Sequence, residues 1–196
     1  MTRTTDIAAG DPATSSKIAC SVHMGTHVDL PAHFHGNGQT VEAFSPDFWF
    51  FSSPLLLEIE PQGVIVRDEL ISLLECSGDH DLLLVKTGMG RLRHTETYWR
   101  ENTGFHPDVC DAIRRCLPSV RMFGFDSISV SSFTDRSLGR EAHRKFLNPS
   151  SPILLLEDMD LSAVNGNSIF EQVVVAPLGI DDSEALPCTV YGVVRD

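Results

Sequence analysis

Positive charge is scarce in this chain. It carries 15 Lys and Arg against 27 Asp and Glu, a net charge of −12. Such a surface repels nucleic-acid phosphates and anionic membranes, which excludes both as partners. A neutral or cationic small molecule, or a metal cation, is the partner it admits. Long apolar runs are missing too. None approaches the ~18–20 residues that a membrane-spanning helix needs. Residues 1–17 are polar and lack the apolar middle of a signal peptide, so the expected location is cytoplasmic. There is no Cys-x-x-Cys pair. The five scattered cysteines, Cys20, Cys76, Cys110, Cys116 and Cys188, are read as free thiols in a reducing compartment. No internal repeat or low-complexity tract breaks up the 196 residues, and a mean hydropathy of −0.02 is that of an ordinary globular domain.

Against this background one stretch stands out. Only eight His occur in the chain, yet His23, His27 and His33 fall within eleven residues, with Asp29 among them and His35 just beyond. Imidazole nitrogen with carboxylate oxygen is the ligand set of Zn²⁺, Mn²⁺ or Fe²⁺. Positions 23, 27, 29 and 33 would share one face of an extended chain. A flat strand, however, would hold residues 23 and 27 ~13 Å apart. Two imidazoles at ~2.1 Å from one ion cannot start from there, so the backbone must curl. Gly25 and Thr26 are where a bend is cheapest. The spacing therefore predicts a kinked segment that folds His23, His27 and Asp29 around one ion, with Gly25 and Thr26 shaping the loop. His33, beyond Pro31, is the candidate proton carrier, because a neutral imidazole titrates near pH 6.5. His35 precedes the Gly36-Asn37-Gly38 turn and is expected to face solvent.

Three ligands from one segment rarely complete a catalytic centre. Glu157, at the end of the apolar run Ile153–Leu156, and His143, in a predicted helix, are the best complement. Asp126 is a similar strand-end carboxylate, suited either to orienting a ligand or to capping. Asp158 and Asp160 are expected to be solvated, and His80, His94 and His106 to lie on the surface. Apolar blocks predict strands at Leu55–Ile59, Val64–Val66, Leu82–Val85, Val120–Phe125, Ile153–Leu156, Val173–Ala176 and Thr189–Val194. Helices are predicted over Asp68–Glu75, Pro107–Leu117 and Leu138–Phe146. Phe48–Phe51 reads as core or as a subunit contact. Strands outnumber helices without strict alternation. The expectation is one compact α/β domain over residues 18–196, with a mixed sheet and flanking helices, preceded by a loose arm at 1–17.

The pattern His23-x-Gly25-Thr26-His27-x-Asp29-x-Pro31-x-His33-Phe34 resembles the defining motif of the cyclase-like metal-dependent hydrolases, which include bacterial kynurenine formamidase and isatin hydrolase. Supporting stretches are Leu83–Gly88, Gly124–Val130, Ala142-His143-Arg144, Leu156–Met159 and Val174–Leu178. The resemblance implies a divalent ion, zinc or manganese, on His23, His27 and Asp29. Where a second ion is present, Asp29 would bridge to it, with His143 and Glu157 as its other ligands. It further implies His33 as proton donor and acceptor, a small-molecule substrate and a homodimer or tetramer. The chain departs from the family at its start, where only Gly10-Asp11-Pro12 bears a faint resemblance to the family's Asp-Leu-Ser and Pro-Gly-Asp elements. It also departs in the longer interval from His143 to Glu157, and at Pro187-Cys188-Thr189, where Pro-Val-Arg is common. The activity implied is hydrolysis of an amide, formamide or lactam by activated water. The alternatives are lactone or ester opening, a polyketide-type cyclisation, or a metal-bound scaffold without turnover.

Overall fold

The computed structural model describes residues 1–74 and 78–195. Its first elements are β1 (Thr2–Thr5) and β2 (Ser15–Lys17), an antiparallel hairpin apart from the main sheet. The stretch expected as a loose arm therefore has regular backbone, paired through Thr and Ser that suit a strand. All but Thr5 of these strand residues are exposed.

Then follow β3 (His27–Asp29), β4 (Phe50–Phe51), β5 (Pro54–Glu58), β6 (Ile65–Val66), β7 (Leu82–Lys86) and β8 (Gly104–Phe105). The chain ends with β9 (Met122–Phe125), β10 (Leu154–Glu157), β11 (Phe170–Pro177) and β12 (Ala185–Val194). The helices are α1 (Asp68–Ile71), α2 (Glu96–Arg100), α3 (Pro107–Cys116) and α4 (Arg136–Phe146). Among the described residues, eight strands form one sheet in the order β4-β11-β12-β3-β10-β9-β7-β5. Strands β5, β7, β9 and β10 run parallel; every other pairing in the sheet is antiparallel. The sheet is thus mixed, as expected. β7, β9 and β10 are buried throughout. That is why they read as unbroken apolar runs rather than alternating ones.

Stepping from β5 to β7, β9 and β10, each crossover moves in the same direction. Right-handed connections then put their helices on one face. There α3 and α4 pack on each other, and Phe146 of α4 stacks on Phe123 of β9 at 5.2 Å. Pro107 opens α3, and the His106 ring caps it by accepting from the Asp108 amide at 3.1 Å. Of the helix expected over Asp68–Glu75 only the first turn, α1, is helical, and Glu75 lies outside the described residues. Trp49 and Phe51 join the core while Phe50 is exposed. The thiol expectation holds for Cys20, Cys110 and Cys188. It fails for Cys116, which is disulfide-bonded, and Cys76 lies outside the described residues. No helix among the described residues is long and apolar enough to cross a membrane.

Candidate metal centre

The carboxyl end of β10 meets the amino end of β3, so Glu157 and His27 are partners in register. Just before β3 the chain turns at Gly25, whose φ is +64°. This left-handed conformation suits glycine, and it supplies the curl that the spacing of His23 and His27 demands. Two bonds hold the bend. His27 Nδ1 lies 2.8 Å from the Gly25 carbonyl, where a proton on Nδ1 donates and leaves the Nε2 lone pair facing inward. The Thr26 hydroxyl donates to the Asp158 carbonyl at 2.8 Å, tying the loop to the end of β10. On α4, His143 repeats the device. Its Nδ1 lies 2.9 Å from the Gly139 carbonyl one turn back, and its ring stacks on Phe34.

Asp29 is the hub. His23 Nδ1 stands 3.0 Å and His27 Nε2 3.4 Å from Asp29 Oδ1. His143 Nε2 is 3.5 Å and His33 Nε2 3.8 Å from Asp29 Oδ2. Glu157 closes the ring, at 3.6 Å from both His27 Nε2 and His143 Nε2. Among the described residues two donor groups share Asp29: His23, Asp29 and His33, and His27, Asp29 and Glu157. Donors at ~2.0–2.2 Å from a tetrahedral ion stand about 3.3–3.5 Å from one another. These separations fit an ion between them. Despite the short contacts, His27 Nε2 and both Asp29 oxygens are buried without a well-formed hydrogen bond. An unsatisfied buried polar atom costs ~1–3 kcal/mol. Three converging ones fit the donor set of a cation site.

The electrostatics agree. Burial alone would lower the His27 pKa, but Asp29 and Glu157 beside it raise it to about 9. Burial would raise the Asp29 carboxyl, yet His143, His23 and His27 hold it well below the usual carboxylate range. Burial, and then the charge of Asp29, push Glu157 up to about 7. His143 is raised because Asp29 and Glu157 outweigh its burial. The His33 pKa is lowered: burial and the neighbouring His23 and His143 overcome the pull of Asp29. His33 is a neutral imidazole at pH 7.

The serine loop after β9 supports Glu157 and His143 from behind, a role the sequence did not reveal. Glu157 Oε1 accepts from the Val130 amide at 2.7 Å and from Ser129 Oγ at 3.4 Å. His143 Nδ1 also lies 3.2 Å from Ser131 Oγ. The resemblance flagged this stretch without assigning it a task. Glu184, also missed, approaches His23 Nε2 at 3.8 Å. Asp126 takes the capping alternative. It accepts from the Thr87 amide and hydroxyl, both at 2.7 Å, and from the Gly88 amide at 3.0 Å.

Asp158 is not solvated. It is buried, with φ +57°, and its carboxylate meets Arg93 Nη2 at 2.7 Å and the Tyr98 hydroxyl. Its partners come from a distant loop, which no local pattern announces. Asp160 is exposed, as expected. His94 is exposed, whereas His35, His80 and His106 are half-buried. His35 Nε2 lies 3.1 Å from the Arg144 carbonyl. His80 Nδ1 lies 3.2 Å from the Ser53 carbonyl. A cavity of about 490 Å³ is lined by Thr26, Met159, Val173 and Cys188 among others.

Fold and donor set together put the protein in the class of metal-dependent hydrolases. The chain belongs to the Cyclase family (putative cyclase), whose model matches residues 2–132. It is similar to the kynurenine formamidase of Bacillus cereus (strain ATCC 10987 / NRS 248), 26% identical over 180 residues that cover 91% of this chain and 78% of that protein. In fold it is similar to a potential metal-dependent hydrolase with cyclase activity. That match has a TM-score of 0.73 at 20% identity, covering 99% of this chain and 86% of the other. It is also similar in fold to isatin hydrolase A from Labrenzia aggregata, with a TM-score of 0.76 at 17% identity over 94% of this chain and 78% of the other.

Proposed function

We propose that the protein hydrolyses a carbon–nitrogen bond of an amide, formamide or lactam at a divalent ion held by His23, His27, Asp29, His143 and Glu157. The observation that carries this reading is the convergence of His27 Nε2 and both Asp29 oxygens, buried and without hydrogen bonds. When bound, the ion supplies Lewis acidity, which acidifies water and polarises a carbonyl. The protein's own groups do the rest. Asp29, ionised and central, fixes the positions of four imidazoles. Gly25 and Gly139 carbonyls orient His27 and His143. His33, neutral and half-buried, takes a proton from the attacking water and delivers it to the leaving nitrogen.

Imidazole and carboxylate donors suit zinc or manganese. The two donor groups around Asp29 suit one ion, or two with Asp29 between them. The activities of the similar proteins, a formamidase and an isatin hydrolase, support the choice of bond. We read the protein as a cytoplasmic homodimer or tetramer acting on a small molecule. The test is elemental analysis of purified protein together with a panel of formanilide, lactam, lactone and aryl ester substrates. Stoichiometric metal with chelator-sensitive turnover of the nitrogen substrates is expected. Turnover of the oxygen esters alone, or an intact ion with no turnover at all, overturns the reading.

A further inference from the structure

Behind the metal ligands, on the far side of the serine loop, a second concavity of about 450 Å³ opens to solvent. Trp99, Phe133, Arg136 and Arg140 line it, with Ser129 and Ser131 in its wall. Its chemistry differs from the rest of the molecule. In a chain of net charge −12 no Asp or Glu lines this cavity. Arg136 and Arg140 are one turn apart on α4 and therefore neighbours on its surface. Some arginines elsewhere are held by acids, as Arg67 is by Asp108 and Arg93 by Asp158. Arg136 and Arg140 have no carboxylate partner among the described residues. The Arg136 guanidinium lies over the Phe133 ring at 4.1 Å. Phe133 and Trp99 are 50% and 54% exposed, large rings left facing water.

Unpaired guanidinium forks recognise a carboxylate through paired hydrogen bonds. Exposed aromatic faces recognise a flat ring. We propose that this cavity binds an aromatic carboxylate, its ring against Trp99 and Phe133 and its anionic end on Arg136 and Arg140. The site is joined to the metal centre, since Ser129 and Ser131 touch Glu157 and His143. The carboxylate has two possible sources: the substrate or product of the reaction proposed above, or a separate effector.

Benzoate is the probe, titrated into the metal-loaded protein. The chain has two tryptophans, and Trp49 is buried, so Trp99 reports on the cavity. A saturable change in fluorescence is expected at millimolar benzoate and is absent in Trp99→Phe. By calorimetry, the Arg136→Gln/Arg140→Gln variant binds at least ~10-fold more weakly, and benzamide, of the same shape without the charge, binds as weakly. Both arginines are exposed, so the variant folds. No saturation by benzoate, unchanged affinity in the double variant, or equal binding of benzamide overturns the site. Kinetics with formanilide separate the sources. Competitive inhibition assigns the cavity to the substrate or product. An effect on kcat alone, or none, assigns it to a separate ligand. The binding arm needs no turnover, so it stands even if the hydrolase reading fails.

Discussion

His27 and Glu157 face each other across the β3–β10 ladder, partners in register with His27 Nε2 3.6 Å from Glu157 Oε2. They come from opposite ends of the chain, and only the antiparallel pairing of these two short strands joins them. The proposed metal centre is therefore assembled by the sheet. α4 then brings His143 down onto the same face, so that sheet, helix and loop each contribute donors around Asp29.

Because Asp29 belongs to both donor groups, its loss should be worse than the loss of any other donor. Asp29→Ala is expected to purify without metal. Glu157→Gln leaves the His23, Asp29 and His33 group intact, and should retain a weakened site. Loss of an orienting partner outside the coordination sphere already costs 10–100-fold in metal affinity. Removing a direct donor should exceed ~100-fold. Elemental analysis of both variants, with competition against a metallochromic chelator, checks the order. Equal metal content in Asp29→Ala and wild type would remove Asp29 from its central role.

Metal uptake should depend on pH with a defined sign. In the metal-free protein Glu157 titrates near 7 and His27 near 9. Each must lose its proton before it can ligate. Asp29 is ionised across this range and adds no slope. Affinity should rise with pH, by up to ~10-fold per unit for each competing proton, and flatten above about 9. Below about 7 the slope steepens as Glu157 protonates; the His143 pKa is also raised, by Asp29 and Glu157, which adds a further competing proton to the overall dependence. Titrations at pH 6, 7, 8 and 9 in matched buffers, with proton release measured in weak buffer, test this. A flat profile would contradict it.

The cluster around Gly25 was readable because its members are local: four chemically distinctive residues, and a spacing that cannot be straight. Glu157 was readable for a different reason, as a carboxylate ending a buried apolar run. The parallel strands announced themselves through burial on both faces. What escaped notice depends on distant partners. β3 is three residues long, too short for any periodicity, and is a strand only because β10 and β12 flank it. Asp158 looked like one member of a solvated acidic cluster, and its burial follows from Arg93 and Tyr98. Ser129 and Ser131 carry no signal of their own, since hydroxyls are common in loops and only the fold brings them to Glu157 and His143.

The Arg93–Asp158–Tyr98 cluster predicts a stability effect separable from metal binding. Tyr98 is fully buried, and its pKa is raised by burial and by Asp158. Asp158→Ala leaves that hydroxyl without its acceptor and places alanine at φ +57°. A destabilisation of ~2–3 kcal/mol is expected from urea unfolding. Asp158→Asn keeps an acceptor for Tyr98 and tolerates the left-handed conformation better, so it should recover much of the loss. Equal stability of Ala and Asn variants would mean the carboxylate contacts are not what holds this turn.

Gly38 controls the placement of His33 without touching it. A Cβ at Gly38 would stand 2.2 Å from the Pro31 carbonyl carbon and 2.4 Å from the Ala32 nitrogen. The Pro31–His33 turn is closed against this strand of chain by the Ala32 amide donating to the Gln39 carbonyl at 3.1 Å. Gly38→Ala must push the two apart, at ~1–3 kcal/mol. The expected result is full metal content with a fall in kcat, because β3, β10 and α4 are not displaced. Loss of metal in this variant would show that the turn supports the donors too.

His33 differs from His27 and His143 in each respect that matters for proton transfer. It makes the longest contact to Asp29, at 3.8 Å. Its side chain is 28% exposed, whereas those of His27 and His143 are buried. Its pKa is lowered, by burial first and then by neighbouring imidazoles, while those of His27 and His143 are raised. A group that is neutral at pH 7 and open to solvent can accept a proton and release it within one turnover; a group locked between two buried carboxylates cannot. His33→Ala should therefore keep its metal and lose at least ~100-fold in kcat with little change in KM. His33→Gln, which preserves polarity without a titratable group, should be no better. The acid limb of the pH–rate profile should disappear in both variants, because it reports protonation of His33 below its lowered pKa. Near-normal turnover in His33→Ala would transfer the proton-carrying role elsewhere, with Glu184, 3.8 Å from His23 and half exposed, the next side chain to test.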